Sequence, residues 1–127
     1  KIEPKEIKEY VHIIDWFPTL ANILGISPTK EVDWDGVDLS SLLFGDGSLE
    51  ERSLYWIWHP VTNRWALRYG DWKIVKYGTD EPEKPEDWGL YHIKNDPEEK
   101  HNVAKLHPEK RKQLHSKFLE QRAKDKI

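Results

Sequence analysis

RWALRYGDWKIVKYG, residues 64–78, is the stretch on which the fold class turns. Trp65, Leu67 and Tyr69 alternate with Arg64, Ala66 and Arg68, the period-two pattern of a half-buried strand. Gly70-Asp71 then offers a two-residue link suited to a tight hairpin, so residues 72–77 read as a second strand returning antiparallel to the first.

The pattern extends in both directions. Upstream, LYWIW at 54–58 is apolar on both faces, which places it as a strand near the middle of a sheet. Downstream, GTDEPEKPED at 78–87 holds two prolines and five acids, the composition of an exposed loop. A last short strand follows at 89–93. Asp96-Pro97-Glu98-Glu99 combines a cap residue, proline at the first helical position and a glutamate at the third, so a helical turn is expected there. From Pro108 to Lys126 the pattern is that of a long helix with a narrow apolar stripe of Leu114 and Phe118, continued by Leu119 or Ala123, lying on the sheet by one face.

The N-terminal third reads differently. Val11, Ile13 and Ile14 give a short extended run, Asp15 stands where a helix cap would, and Pro18 falls in the first turn. Phe17, Leu20, Ile23 and Leu24 recur at helical spacing until Gly25 supplies a left-handed stop, so a helix is expected from Asp15 to Leu24. Leu39, Leu42 and Leu43, closed by Gly45, predict one more short helical stretch. Helical periods give way to strand periods between 46 and 52. The expected class is therefore α+β, with a small antiparallel sheet of about four strands and a long C-terminal helix packed on it, preceded by a helix, and with a boundary separating 1–48 from 49–127.

Composition narrows the function. A chain of 127 residues can bury a core of its own, and a net charge of −3 with 34% charged residues argues against a nucleic-acid partner. No apolar run reaches the roughly 20 residues of a membrane helix, and KIEPKEIKEY lacks a signal-peptide core. Cysteine is absent, which removes disulfides, thiolate metal sites and cysteine nucleophiles while leaving the compartment undetermined. Methionine is absent too, so Lys1 is not the expected natural start and the chain reads as a fragment. Six of seven tryptophans fall between Trp34 and Trp88. Of these, Trp56, Trp65 and Trp72 lie on strands that a helix can cover, and core packing is their first reading.

Self-contained chemistry has little support. Asp33, Asp35, Gly36 and Asp38 resemble half of a calcium loop, but the closing glutamate is missing, and a plain turn accounts for them. The six histidines show no metal-ligand spacing backed by a third ligand, and the serines lie in turn or helix contexts without a nucleophile elbow. Catalytic residues: none; metal ligands: none. His59 is the histidine that stands out, because it closes the LYWIW strand ahead of Pro60, where a loop begins. With Trp58 and Arg64 it forms a candidate substrate contact; a loop histidine and a solvated arginine beside a core tryptophan is the plainer reading, and both stay open.

VHIIDWFPTLANILGI, DGVDLSSLLFG, RWALRYGDWKIVKYG and GLYHIKNDPEEKHNVA, followed by an amphipathic helix, stand in an order that resembles the last part of the sulfatases, within the alkaline-phosphatase-like superfamily. The family's Asp-x-x-Pro-Thr helix ending in glycine is similar to Asp15, Pro18, Thr19 and Gly25, and its Asp-Gly-x-x-Leu segment to Asp35, Gly36 and Leu39. Its Arg-x-Gly-Asp-Trp-Lys hairpin corresponds to Arg68, Gly70, Asp71, Trp72 and Lys73. The segment Leu-Tyr-x-(Ile/Leu)-x-x-Asp-Pro-x-Glu-x-x-Asn corresponds to Leu90, Tyr91, Ile93, Asp96, Pro97, Glu99 and Asn102. Each piece has local backbone reasons to occur, and it is their succession that carries the resemblance.

The resemblance implies that 1–48 is the trailing segment of a sulfatase catalytic domain, with its helix from the edge of that domain, and 49–127 its C-terminal sheet-plus-helix subdomain. It implies a parent that uses calcium and a formylglycine made in a Cys/Ser-x-Pro-x-Arg motif, neither of which maps onto this chain. The implied partners are the missing N-terminal catalytic domain and, for the parent, a sulfated glycan or aryl sulfate. Family habit gives a periplasmic or secreted parent. In sulfatases the small domain borders the pocket mouth, which is how His59, Arg64 and Trp58 would reach the organic part of a substrate. The alternatives from other classes are a free-standing carbohydrate-binding module and a protein-interaction module. The apolar stripe of the first helix, if uncovered, predicts self-association of the fragment.

Overall fold

The structure is a computed structural model that describes residues 4–27, 34–58, 64–78, 82 and 84–125. It forms two compact units, 1–50 and 51–127.

In the first unit a 3-10 turn, Ile13–Asp15, leads into helix α1, Trp16–Ile23. Ile13 and Ile14 lie in this turn, which corrects the extended run expected of Val11, Ile13 and Ile14; His12 just before it is extended. Nor does Asp15 cap α1. Its fully buried carboxylate accepts the His12 N–H at 2.7 Å and the Val37 N–H at 3.0 Å. Thr19, one turn on and equally buried, donates to the Asp15 carbonyl at 2.5 Å and accepts the Leu39 N–H at 2.9 Å. Gly36 completes this fastening, since a Cβ there would lie 2.2 Å from the Ile14 carbonyl oxygen. Asp15-x-x-Pro-Thr19 and Asp35-Gly36-x-x-Leu39 are thus two halves of one clasp. Helix α1 ends as expected at Gly25 (φ +64), with Gly25 N–H bonded to Asn22 and Ile26 N–H to Ala21, the paired bonds of a Schellman stop. Helix α2, Ser40–Phe44, buries Leu42, with Leu39 buried just ahead of it.

The second unit is a meander of β1 (Ser53–Trp58), β2 (Arg64–Tyr69), β3 (Trp72–Tyr77) and β4 (Gly89–His92), every neighbouring pair antiparallel, with helix α3 (Pro108–Arg122) on one face. Tyr69 pairs with Trp72 across Gly70-Asp71, and the positive φ of Gly70 (+56) is the conformation a primed hairpin link needs at its first residue. β1 lies at an edge of the sheet, not in its middle. Its two-sided apolar character arises because α3 covers the Tyr55 side while Leu54 and Trp56 occupy the other.

The core between sheet and helix consists of Trp65, Leu67, Ile74, Trp88, Leu90, Ala104, Leu114 and Phe118. Trp72 packs against it partly buried, whereas Trp56 points to the opposite face and is not under the helix, a correction to its core reading. Pro82 is buried within the segment expected to be an exposed loop. Its carbonyl accepts the Trp88 indole N–H at 3.2 Å and the His115 Nε2 at 2.7 Å, so the Nε2 nitrogen carries the proton. Buried Lys76 meets Asp87 at 3.6 Å in the same segment.

Residues 96–101 form a turn rather than the start of a helix. The Asp96 carboxylate accepts the N–H groups of Lys100 and His101 at 3.1 and 2.8 Å, Glu99 takes a left-handed φ of 55°, and its carboxylate meets Lys73 at 2.5 Å. The Asn102 side-chain oxygen then accepts the Leu90 and Ala104 N–H groups, and Val103 N–H bonds the Leu90 carbonyl, which covers the edge of β4.

Tyr55 ties β1 to the end of α3 by donating to Asp125 at 3.0 Å. Burial, then the Asp125 hydrogen bond and charge, push its phenol well above the ordinary value, and Tyr69 and Tyr91 shift the same way. The folded state therefore holds these protons more tightly than the unfolded chain. Stability should be intact below about pH 10, the ordinary tyrosine value, and fall as pH rises beyond it. Urea midpoints measured from about pH 9 to 11 should drop less steeply for Tyr55→Phe than for the unaltered chain; equal slopes would refute the linkage.

Candidate functional site

The face of the sheet opposite α3 is built from three cross-strand rows, because directly paired residues share a face. One end carries Leu54, Arg68, Lys73 and Tyr91; the middle carries Trp56, Ala66, Val75 and Gly89; the far end carries Trp58, Arg64 and Tyr77. The middle row is close-packed. Val75 is buried, and Gly89 leaves room for the Tyr91 ring, which a Cβ at 89 would meet at 3.1 Å.

The two end rows differ in electrostatics. At the Arg68 end, cations are already engaged: Lys73 with Glu99, and Arg68 Nε with the Gly70 carbonyl at 3.0 Å. At the Arg64 end the guanidinium carbon sits 5.3 Å from the Tyr77 ring centroid, and among the described residues no carboxylate pairs with Arg64. Trp58, on its other side in register, is 68% exposed and Tyr77 62% exposed. A cation between two open aromatic rings results.

Of the candidate residues read from the sequence, Trp58 and Arg64 are brought side by side, and Trp58 is an exposed ring rather than a core one. His59 lies outside the described residues, as does Asp33 of the calcium-loop reading. Tyr77 was missed, although a signal existed: counting outward from the Gly70-Asp71 link places it opposite Arg64. His115 was also missed, one residue from Leu114 on the stripe of α3.

Elsewhere among the described residues, polar groups are engaged with one another. The Asp38 carboxylate takes bonds from Asn22 at 2.6 Å and from the Ser40 hydroxyl and N–H at 2.7 and 2.8 Å; burial alone would raise its pKa, and these bonds together hold it below the usual range. Ser116 Oγ donates to the Lys112 carbonyl. Among the described residues no three His, Asp or Glu side chains are grouped to hold a metal ion, and the cysteine-free sequence offers only serines, none in the Cys/Ser-x-Pro-x-Arg motif.

A four-strand antiparallel meander carrying a C-terminal helix is the fold of the C-terminal portion of a sulfatase. The chain belongs to the family described as N-sulphoglucosamine sulphohydrolase, C-terminal, whose model matches residues 1–124. No curated protein matches it. Among solved structures it is similar to BT4656, described in complex with its substrate D-glucosamine-2-N,6-O-disulfate (22% identity, TM-score 0.62, 86% of this chain and 23% of that one). A Bacteroides thetaiotaomicron structure described under metabolism of multiple glycosaminoglycans is 29% identical, with a TM-score of 0.57 over 84% of this chain and 24% of that one. The yidJ protein from Bacteroides fragilis is 21% identical, with a TM-score of 0.59 over 82% and 23%. The chain thus spans about a quarter of the length of the structures it matches.

Proposed function

We propose that this chain serves as the C-terminal part of a sulfuric-ester hydrolase and does not hydrolyse esters alone. Residues 1–48 are the trailing segment of the catalytic domain and 49–127 the subdomain at the pocket mouth, where Trp58, Arg64 and His59 meet the organic part of the substrate. Nucleophile and cation clamp must be preorganised together around the sulfuryl group, and both belong to polypeptide other than this chain. Sulfated glucosamine, the substrate named for BT4656, supports a glycan sulfate over an aryl sulfate for the parent.

The observation that carries the reading is the family match over 1–124 together with the exposure of α1. Phe17 (64%) and Leu20 (50%) on α1 and Leu24 (68%) just after it are exposed, and the residue α1 buries is Thr19. An apolar stripe of that size is one that a further body covers. The missing catalytic domain is that body, and a second copy takes its place in the isolated chain.

The test compares the purified chain with the single reading frame that includes the upstream polypeptide. Alone, the chain should show no sulfate-ester turnover and should scatter light as dimers or larger; the longer protein should turn over glucosamine sulfates. A longer frame lacking any Cys/Ser-x-Pro-x-Arg motif, or turnover by clean 1–127 material, would overturn the proposal.

A further inference from the structure

We infer that Glu51 is a latch that fastens the end of the joint between the two units to the β2–β3 hairpin, with its carboxylate seated where Gly70 lacks a side chain. Residue 51 is where the second unit begins, two positions ahead of β1. Its side chain reaches the hairpin link: the Tyr69 hydroxyl donates to the carboxylate, and a Cβ built on Gly70 would stand 2.1 Å from Oε1. The left-handed φ of Gly70 alone would admit asparagine or aspartate there, so the seat is a second and stricter reason for glycine.

The receiving side is held by three elements. Arg68 Nε on β2 donates to the Gly70 carbonyl at 3.0 Å, the Ile93 N–H just after β4 donates to the Asp71 carbonyl at 2.7 Å, and Lys117 Nζ on α3 stands 4.0 Å from the Tyr69 ring centroid. The link is therefore the fixed member and Glu51 the one that can leave. Strand pairing of β1 with β2 starts at Ser53. With the carboxylate seated, residue 51 travels with the sheet; with it released, the free joint lengthens toward Ser53. The latch thus sets how much backbone can pivot between the units, and Glu51 is a positioning residue.

The test uses the 127-residue chain and two readouts, backbone amide relaxation at 50–53 and the NMR titration of the Tyr69 Cζ carbon. In Glu51→Ala the order parameter of residue 51 should fall from about 0.85 to below about 0.6, while those of β2 and β3 hold. Tyr69 should titrate at a lower pH, because the Glu51 hydrogen bond and charge, which raise its phenol ahead of burial, are gone. Tyr69→Phe keeps the ring beside Lys117 and should loosen residue 51 to the same degree. Gly70→Asn should reproduce both effects although Glu51 is present, and combining it with Glu51→Ala should move neither readout further. A glycine needed for its φ alone would leave the Tyr69 titration where it is. The indole shifts of Trp65 and Trp88 report whether each variant is folded; if Gly70→Asn is not, Glu51→Ala and Tyr69→Phe decide. An unchanged Tyr69 titration in Glu51→Ala, or a residue 51 that stays ordered in Tyr69→Phe or in folded Gly70→Asn, would overturn the inference.

Discussion

Phe118→Ala should lower the stability of the sheet-plus-helix unit by about 3–5 kcal/mol, the usual cost of emptying an aromatic site in a packed core. Phe118 is fully buried, its ring 4.6 Å from that of Trp88 and 5.3 Å from that of Tyr55, so it fills the space between α3 and both ends of the sheet. Those neighbours belong to four different segments: β1, the 82–88 turn, β4 through Leu90, and α3 itself. They cannot all collapse inward, which puts the loss toward the upper part of the range. Total stability of a domain this size is about 5–15 kcal/mol, so the variant should be half unfolded at a much lower urea concentration. A midpoint shift equivalent to under about 1 kcal/mol would mean that the core is organised around other side chains.

The second large effect should come from Asp15→Ala. Removing the carboxylate strands the N–H groups of His12 and Val37, each of which costs about 1–3 kcal/mol when left without an acceptor away from water. It also loosens the loop at Gly36, whose close approach to the Ile14 carbonyl depends on the clasp. Amide exchange at Val37 and Leu39 should accelerate by about 100-fold or more, while the amides of β2 and β3 stay protected. Asp15→Asn keeps one acceptor oxygen and should give an intermediate result. Unchanged exchange at Val37 in the alanine variant would remove the clasp as an explanation for these two motifs.

The hairpin and the terminal helix were legible because each depends on local chemistry. Alternation from Arg64 to Tyr69 and a glycine at the link leave few other conformations, and the Leu114 and Phe118 stripe faces the four-stranded sheet. β1 was legible as a strand but not in its place, since hydropathy reports what lies above and below a strand and says nothing of its lateral partners. Asp96 failed for a related reason. A carboxylate accepting N–H groups ahead looks the same at a helix start and in a tight turn, and the left-handed φ of Glu99, whose carboxylate meets the distant Lys73, has no signature in the local sequence. Asp15 and Thr19 carry the same lesson: their motif marks a helix in the sequence, while its work is to hold a loop about 20 residues away.

The order of the strands has a kinetic consequence. Every strand is bonded to the one made just before it, and the chain never has to bring distant ends together to close the sheet. The entropy lost in forming each step is that of a short loop, so assembly should run as a zipper from the Gly70-Asp71 link outward and finish when α3 lands on the exposed apolar side. Such a topology reaches its native state within milliseconds rather than seconds, visible as a single phase in the emission of Trp65 and Trp88, and spends little time with sticky intermediates in solution.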